Sequence, residues 1–150
     1  MKTLNGIPDL EKAVGTHLGR SEWHTIDQDQ IDAFAAATGD NQWIHTDPAK
    51  AAGGPFGTTI AHGFLTLSLV PMLVWQVYKV EGVTMAVNYC ADKLRFPSPV
   101  PVGSRVRAAV ELTSVTPNKL GYQVATRVTI EPDGSDKPAC VVDMVTVVVP

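Results

Sequence analysis

The chain lacks the features that mark several large classes of protein. It has two cysteines, Cys90 and Cys140, and no CxxC pair. Both lie in apolar, strand-like sequence, which favours buried thiols over a disulfide or a metal knuckle. A basic excess is also lacking, since 12 lysines and arginines stand against 15 acidic residues for a net charge of −3. With no field to attract polyanions, nucleic acid is not expected as a partner.

No apolar run is long enough to cross a bilayer. The longest, from about His62 to Lys79, has about sixteen uncharged residues at 1.5 Å each, short of a roughly 30 Å hydrocarbon core, and Ser68 and Pro71 interrupt it. The first fifteen residues have no continuous apolar segment of the kind found in secretory signals. A cytoplasmic protein without a membrane anchor is therefore expected.

The first half of the chain has the signals of short helices. With no composition shift or internal repeat, residues 1–150 are expected to form a single domain. Residues 8–19 suggest a short helix interrupted at Gly15, and residues 21–26 suggest a brief strand. A firmer helix follows over residues 27–39.

Polar and glycine residues predict where these helices begin and end. Asp27 can cap the helix over 27–39, and Gly39 is placed to end it. Asp47 before Pro48 predicts a second, short helix over residues 48–52.

The second half alternates strand and turn signals. Valine- and threonine-rich segments separated by Gly, Pro and Asn predict consecutive antiparallel strands at 84–96, 104–115, 119–130 and 138–149. The apolar segment from His62 to Lys79 predicts a helix that must be buried. The sequence therefore predicts an α+β fold in which an antiparallel sheet wraps around one long central helix.

The stretch AAATGDNQWIHTDPAKAA, residues 35–52, places an aspartate and a histidine close together. In a continuous helix, Asp40 and His45 would point about 140° apart. If the chain leaves the helix at Gly39, both can converge, and a carboxylate beside an imidazole can move protons near neutral pH. Simpler interpretations also exist, in which Asp40 belongs to a turn and His45 is a hydrogen-bonded loop residue. Asp40, His45 and His62 show no HxxxH or HxH spacing, so no metal site is predicted.

The segment GDNQWIHTD resembles the G-D-x-N-P-x-H-x-D motif of MaoC-like, (R)-specific enoyl-CoA hydratases, and GPFGTTIAHGFLTLSL is similar to the loop and helix that follow it. The resemblance implies a hotdog fold and carries the catalytic pair over to Asp40 and His45. It also carries the glycine at the start of the long helix over to Gly63. Gln42 and Trp43 depart from the usual asparagine and proline, a variation similar to the nodulation protein N branch.

The implied reaction is the addition of water to a trans-2-enoyl-CoA, giving an (R)-3-hydroxyacyl-CoA, or its reversal, without a cofactor. This chemistry needs a base, an acid and a donor to the thioester oxygen. Asp40 and His45 would share the first two roles and the Gly63 N–H would supply the third. Gly63 could instead be glycine only because the helix packs closely against a strand there. Gln42 and His62 are expected to complete the substrate-binding set, although His62 could instead cap or pack at the helix start.

The resemblance also implies partners and leaves alternatives. A homodimer joined at sheet edges is expected. CoA phosphates are expected to meet one or more cations among Lys93, Arg95, Arg105, Arg107 and Lys119. Each of these side chains could instead simply belong to a solvated strand face. A hotdog thioesterase and a non-catalytic acyl-CoA binding module are the alternatives. Residues 63–80 contain no Asp or Glu, which disfavours a thioesterase with a carboxylate on the central helix.

Overall fold

The computed structural model describes residues 1–150. Its helices are α1 (Gly6–Ala13), α2 (Gln28–Thr38), α3 (Trp43–Thr46), α4 (Pro48–Ala52), α5 (Gly63–Ser68) and α6 (Val70–Val77). Its strands are β1 (Lys2–Asn5), β2 (His17–Arg20), β3 (His24–Thr25), β4 (Tyr78–Glu81), β5 (Met85–Arg95), β6 (Arg105–Pro117), β7 (Tyr122–Pro132) and β8 (Cys140–Val149).

The predicted α+β architecture and its four long strands are confirmed. They lie in a six-stranded antiparallel sheet with the order β2-β6-β7-β8-β5, and β3 adds a short pairing to β6. β5 pairs with β8 rather than with β6, which follows it in the chain. The strand predicted over residues 21–26 is reduced to His24–Thr25.

The core lies between the sheet and the helices α5 and α6. Val106, Ala108, Val110 and Leu112 alternate along β6 and are all fully buried, as expected when every second side chain of a strand faces a core. Leu73 of α6 is fully buried in the same cluster. Burying each valine or leucine side chain contributes about 1.5–3 kcal/mol, so this contact fixes the helix across the sheet.

The long helix is shorter and less regular than predicted. It divides at Leu69 into α5 and α6, and it ends at Val77, where the chain turns extended to form β4. Pro71 lies just after the division, and its ring nitrogen has no hydrogen to donate to the carbonyl of Leu67. None of the helices is both long and apolar enough to span a membrane.

The helix is also not buried on every side, contrary to the prediction. Phe64 and Trp75 are 64% and 70% exposed on the single chain. The sheet covers only the side of the helix that carries Leu65, Leu69 and Leu73. A second apolar face is therefore left open beside β5.

The N-terminal helix was predicted too long. Helix α1 ends at Ala13, and Gly15 adopts a left-handed conformation with φ of +80°. The Gly15 N–H donates to the carbonyl of Leu112 at 2.7 Å, which starts the pairing of β2 with β6. Residues 17–20 are consequently strand rather than helix.

The two cysteines differ in environment. Cys140 is fully buried, and burial raises the pKa of its thiol to about 11, which keeps it protonated and unreactive. Cys90 is only half-buried on β5, so the prediction of a buried thiol is confirmed for Cys140 and wrong for Cys90. Both are free thiols.

Candidate active site

The predicted caps of α2 set the direction in which the chain enters the candidate site. The Asp27 carboxylate accepts a hydrogen bond from the backbone N–H of Gln30 at 2.9 Å. At the other end, Gly39 has a φ of +81° and donates to the carbonyl of Ala35 at 2.8 Å. This left-handed residue, which glycine adopts at little cost, ends the helix and turns Asp40 away from its axis.

His45 lies on α3, a one-turn helix that the sequence did not predict. α3 has no side-chain cap to mark its start, and its Gln42 carbonyl accepts from the His45 N–H at 3.0 Å. The carbonyl of His45 accepts from the amide of Gln28 at 2.8 Å, and Gln28 accepts in turn from the hydroxyl of Thr59 at 2.6 Å. The main chain of His45 is thereby fastened to α2.

Asp40, His45 and His62 converge. One carboxylate oxygen and one ring nitrogen from each histidine all lie within 4.8 Å of one another. The prediction that Gly39 lets Asp40 and His45 meet is therefore confirmed. Asp40 is exposed and takes part in no salt bridge, whereas both histidines are buried.

Hydrogen bonds to backbone carbonyls assign the ring protons of both histidines. Nδ1 of His45 lies 2.7 Å from the carbonyl oxygen of Ile60, and a carbonyl can only accept, so Nδ1 is the donor. In the neutral ring, Nε2 of His45 is then free to accept a proton. His62 has the opposite arrangement: Nε2 donates to the main-chain carbonyl of Asp40 at 2.9 Å, and Nδ1 is buried without a partner.

The two imidazole rings are stacked. Their centroids are 3.8 Å apart and their planes differ by 24°. A metal ion binds in the plane of each imidazole at about 2 Å from the nitrogen, and two nearly parallel rings at this spacing cannot both meet that condition. The trio therefore has donor atoms suited to a metal but a ring geometry suited to packing.

Gly63 lies directly after His62 and begins α5. Its N–H forms no hydrogen bond within the chain, as expected in the first turn of a helix. A Cβ at this position would lie 2.9–3.0 Å from ring atoms of Phe96. Gly63 thus has a packing reason to be glycine as well as a free donor.

The two positions that depart from the MaoC-like motif have different surroundings. Gln42 is exposed, and its backbone N–H approaches an Asp40 carboxylate oxygen at 3.5 Å. Trp43 is half-buried, with the ammonium group of Lys50 over its ring at 4.9 Å. A Cβ on Gly54 would lie 2.9 Å from the Trp43 ring, so the indole packs directly on the glycine-rich loop.

An apolar cavity of about 400 Å³ lies between α6 and the sheet, and neither Asp40 nor His45 lines it. A smaller groove continues along the helix past Ser68 and shares Pro71, Asn88 and Met144 with the cavity. The hydroxyl of Ser68 donates to the carbonyl of Phe64 at 2.7 Å, which fits a helix-bonded serine rather than a nucleophile.

Among the five candidate cations, Arg105 and Arg107 are committed to other contacts. Arg105 forms a salt bridge with Asp133, and Arg107 bonds Glu131 at 2.8 Å while its guanidinium lies 4.4 Å from the Trp23 ring. Two further cations remain exposed: Lys93 is 3.9 Å from Asp143, and Lys119 lies in the turn between β6 and β7. Arg95, at the end of β5, belongs to no salt bridge and precedes the Phe96 ring that covers Gly63.

Comparison with known proteins agrees with this arrangement. The family model described as MaoC like domain matches residues 9–132. The chain belongs to the MaoC-like family. It is similar to 3-hydroxyacyl-thioester dehydratase Z of Mycobacterium tuberculosis, with 53% identity covering 97% of each chain. It is also similar to nodulation protein N of Rhizobium leguminosarum, with 43% identity covering 95% of this chain and 90% of the relative.

A solved structure extends the family relation to the fold. The (R)-hydratase from Aeromonas caviae involved in PHA biosynthesis superposes with a TM-score of 0.74 at 30% identity, covering 91% of this chain and 96% of that one. The hotdog fold expected from the motif is therefore confirmed. Both the MaoC-like resemblance and the nodulation protein N branch are also confirmed.

Proposed function

We propose that this MaoC-like protein is a hydro-lyase that interconverts a trans-2-enoyl thioester and water with an (R)-3-hydroxyacyl thioester. The observation that carries the proposal is the meeting of Asp40 and His45 at the end of α2, with Nε2 of His45 free to accept a proton. The similarity to relatives named as dehydratases and (R)-specific hydratases supports the same chemistry. No step of it requires a metal or a redox cofactor.

The hydrogen bonds of His45 suggest how the proton moves. Water held between the Asp40 carboxylate and Nε2 of His45 gives one proton to Nε2 as its oxygen bonds to C3 of the enoyl group. The charge that develops spreads onto the thioester oxygen. Nε2 then returns the proton to C2, so one water is added and the enzyme regains its starting state. The carbonyl of Ile60 holds the ring in the tautomer that this sequence needs.

The developing negative charge needs a donor, and the Gly63 N–H is our candidate. It is free, it belongs to the first turn of α5, and the ring of the preceding His62 is stacked on His45. A preorganised backbone donor costs no reorganisation at the moment of reaction. Gln42 is exposed two residues after Asp40, and it is proposed to contact the substrate beside the carboxylate.

The acyl carrier is proposed to be CoA, with Arg95 as its first candidate phosphate contact. Arg95 is chosen for its position, because it precedes Phe96, whose ring lies against Gly63, and because it forms no salt bridge. Arg105 and Arg107 are already paired with carboxylates. Loss of a phosphate contact weakens ground-state and transition-state binding equally, so Arg95→Ala should raise KM and leave kcat unchanged.

A homodimer joined at β5 is proposed. β5 is an 11-residue edge strand with most of both faces exposed, including Met85, Val87 and Tyr89. Long apolar edges favour pairing with another chain. Exposed Trp75 of α6 contributes to the same open side, since it lines one cavity with Met85. Light scattering should give twice the 16.1 kDa chain mass, and a stable monomer would contradict this. A single functional domain over residues 1–150 and a cytoplasmic location stay predictions of the sequence.

One assay tests the proposed reaction against its alternatives. Crotonyl-CoA absorbs in the ultraviolet through its conjugated enoyl thioester, and hydration removes that absorbance without releasing a thiol. Loss of absorbance with formation of (R)-3-hydroxybutyryl-CoA is the expected result. Release of free CoA thiol would indicate a thioesterase instead, and binding without turnover would indicate a non-catalytic module.

A further inference from the structure

We propose that His62 is a positioning residue that holds Asp40 and His45 in their reactive arrangement without contacting the substrate. This inference rests on the proposed function, because the reaction defines which arrangement is reactive. His62 was expected in the substrate-binding set. Its side chain is only 2% exposed and therefore lies behind the pair, where substrate does not reach it.

The first contact of His62 fixes the main chain of Asp40. Asp40 follows the left-handed Gly39 on an exposed stretch, and its own carboxylate has only a long 3.5 Å approach from the Gln42 N–H. The bond from Nε2 of His62 to the Asp40 carbonyl, at 2.9 Å, is the only hydrogen bond made by the main chain of Asp40. Without it, only the long approach of the Gln42 N–H would hold the position of the Asp40 carboxylate relative to α5.

The second contact of His62 fixes the ring of His45. The 3.8 Å stack limits the tilt of the His45 imidazole, while the Ile60 carbonyl limits its rotation. Phe34 of α2 lies 5.0 Å from the His62 ring and holds it from within the core. One side chain thereby joins α2, α3 and the start of α5 at the point where the two reactive groups meet.

The second ring nitrogen of His62, Nδ1, explains why this histidine is unsuited to proton transfer. Nδ1 is buried and has no partner, so a proton placed there would be a buried donor without an acceptor. The hydrogen bond to the Asp40 carbonyl therefore assigns the proton of the neutral ring to Nε2. A position that served the core alone would be better filled by an apolar ring, which leaves no polar atom unsatisfied. The histidine makes a bond that an apolar ring could not, from Nε2 to the Asp40 carbonyl.

Three substitutions separate the two contacts. His62→Gln keeps a donor that can reach the Asp40 carbonyl but loses the stack. His62→Phe keeps an aromatic ring beside His45 but loses the donor, and His62→Ala loses both. We expect kcat for crotonyl-CoA to fall about tenfold in each of the first two and about a hundredfold in His62→Ala, the scale of small misplacements of reacting groups. KM should stay within about twofold, since substrate does not touch the ring.

His24→Gln is the matched control. His24 is also a partly buried histidine with one side-chain hydrogen bond, to Gln30 at 2.9 Å, and it lies outside the trio. It should keep wild-type kcat. The positioning role would be overturned if the His62 variants lost kcat only in proportion to their loss of melting temperature, and His24→Gln showed the same proportion. A rise in KM at constant kcat would overturn it in favour of substrate contact.

Nitrogen NMR of the imidazole rings gives a readout that needs no turnover. In the wild type, His45 should show one tautomer with its proton on Nδ1, and His62 one with its proton on Nε2. His62→Gln and His62→Phe should broaden or mix the His45 signals, and unchanged signals would overturn the proposal. If every variant fails to fold, two mixed His45 tautomers in the wild type would overturn it. Failure of the wild type to hydrate crotonyl-CoA would instead reject the proposed function, leaving the NMR result to judge the geometry.

Discussion

The charged groups on the outer face of the sheet, on β7 and β8, differ in their pairing from those at the junction of α2, α3 and α5. On β7 and β8, Glu131 bonds both Arg20 and Arg107, and Asp143 bonds Arg127. At the junction, Asp40 has no cation and His62 leaves a buried nitrogen unpaired. The carboxylates that are paired with arginines link neighbouring strands of the sheet. An exposed carboxylate that has no cation partner and lies beside a histidine remains available for chemistry.

The strongest test of this difference removes one carboxylate from each region. His45→Ala should lower kcat by about 10² to 10⁴, the range for lost acid–base help. Asp40→Asn should lower it by about 10², because a neutral amide no longer polarises the bound water or offsets the positive charge that His45 gains. Asp143→Asn, on the outer face, should keep kcat. Steady-state crotonyl-CoA hydration with the three purified proteins checks this. Near-wild-type turnover by folded Asp40→Asn would remove Asp40 from the mechanism.

The second test asks whether Gly63 serves the reaction or only its packing. Gly63→Val would place side-chain atoms against the Phe96 ring, so both melting temperature and activity should fall, with kcat lowered on the order of 10². The single variant therefore does not separate the two roles.

A double variant does separate them. Gly63→Ala combined with Phe96→Ala relieves the 2.9 Å contact but still places an added Cβ next to the backbone N–H of position 63. If the glycine serves the thioester oxygen, the melting temperature should recover and kcat should stay low. Recovery of both would assign Gly63 to packing alone. Phe96→Ala by itself is the matched control.

A third and smaller effect is expected from Gln28, whose side chain donates to the main-chain carbonyl of His45. Gln28→Leu removes the bonds to the His45 carbonyl and to Thr59, so the free energy of unfolding should fall by about 1–3 kcal/mol. kcat should fall only a few-fold, since His62 and Ile60 still hold the ring. Gln30→Leu, which breaks a bond to His24 instead, is the control for urea unfolding and should leave kcat unchanged.

The smallest expected effect is on the pH dependence of stability, through the ion pairs on the outer face of β7 and β8. Hydrogen bonding to Arg20 holds the pKa of Glu131 below its usual value, and Arg127 does the same for Asp143. Because the folded pKa lies below the unfolded one, this stabilisation is complete above the unfolded pKa and is lost as pH falls through the folded pKa. Glu131→Gln should therefore reduce the acid sensitivity of unfolding, by up to about 1 kcal/mol. An identical pH profile for wild type and variant would contradict it.

Local signals predicted much of the fold and part of the site. Asp27 and Gly39 mark the ends of α2 because capping depends on neighbours in sequence, and the alternation along β6 reports its buried face directly. The convergence of Asp40 and His45 followed from the exit at Gly39 together with the MaoC-like motif.

Features that depend on distant residues were missed. The parallel pairing of β1 with β4 joins residues 76 positions apart, such as Lys2 and Tyr78, and leaves no periodic pattern in either strand. α3 is four residues long and has no capping side chain. The bond from His62 to the Asp40 carbonyl is tertiary, so nothing in the local sequence encodes it. Close packing at Gly63 was one of the two predicted roles of that glycine, but its partner Phe96 was not predicted.

The pairing of β3 with β6 also has a consequence for the order of events during synthesis. Thr25 pairs with Arg105, which the ribosome adds 80 residues later. At about 5–20 residues per second, the amino-terminal segment waits roughly 4 to 16 s for its strand partner. Asp40, His45 and His62 are all made within that interval, yet the sheet beneath them is not. The reactive pair is therefore translated well before the sheet that packs against its helices can be completed.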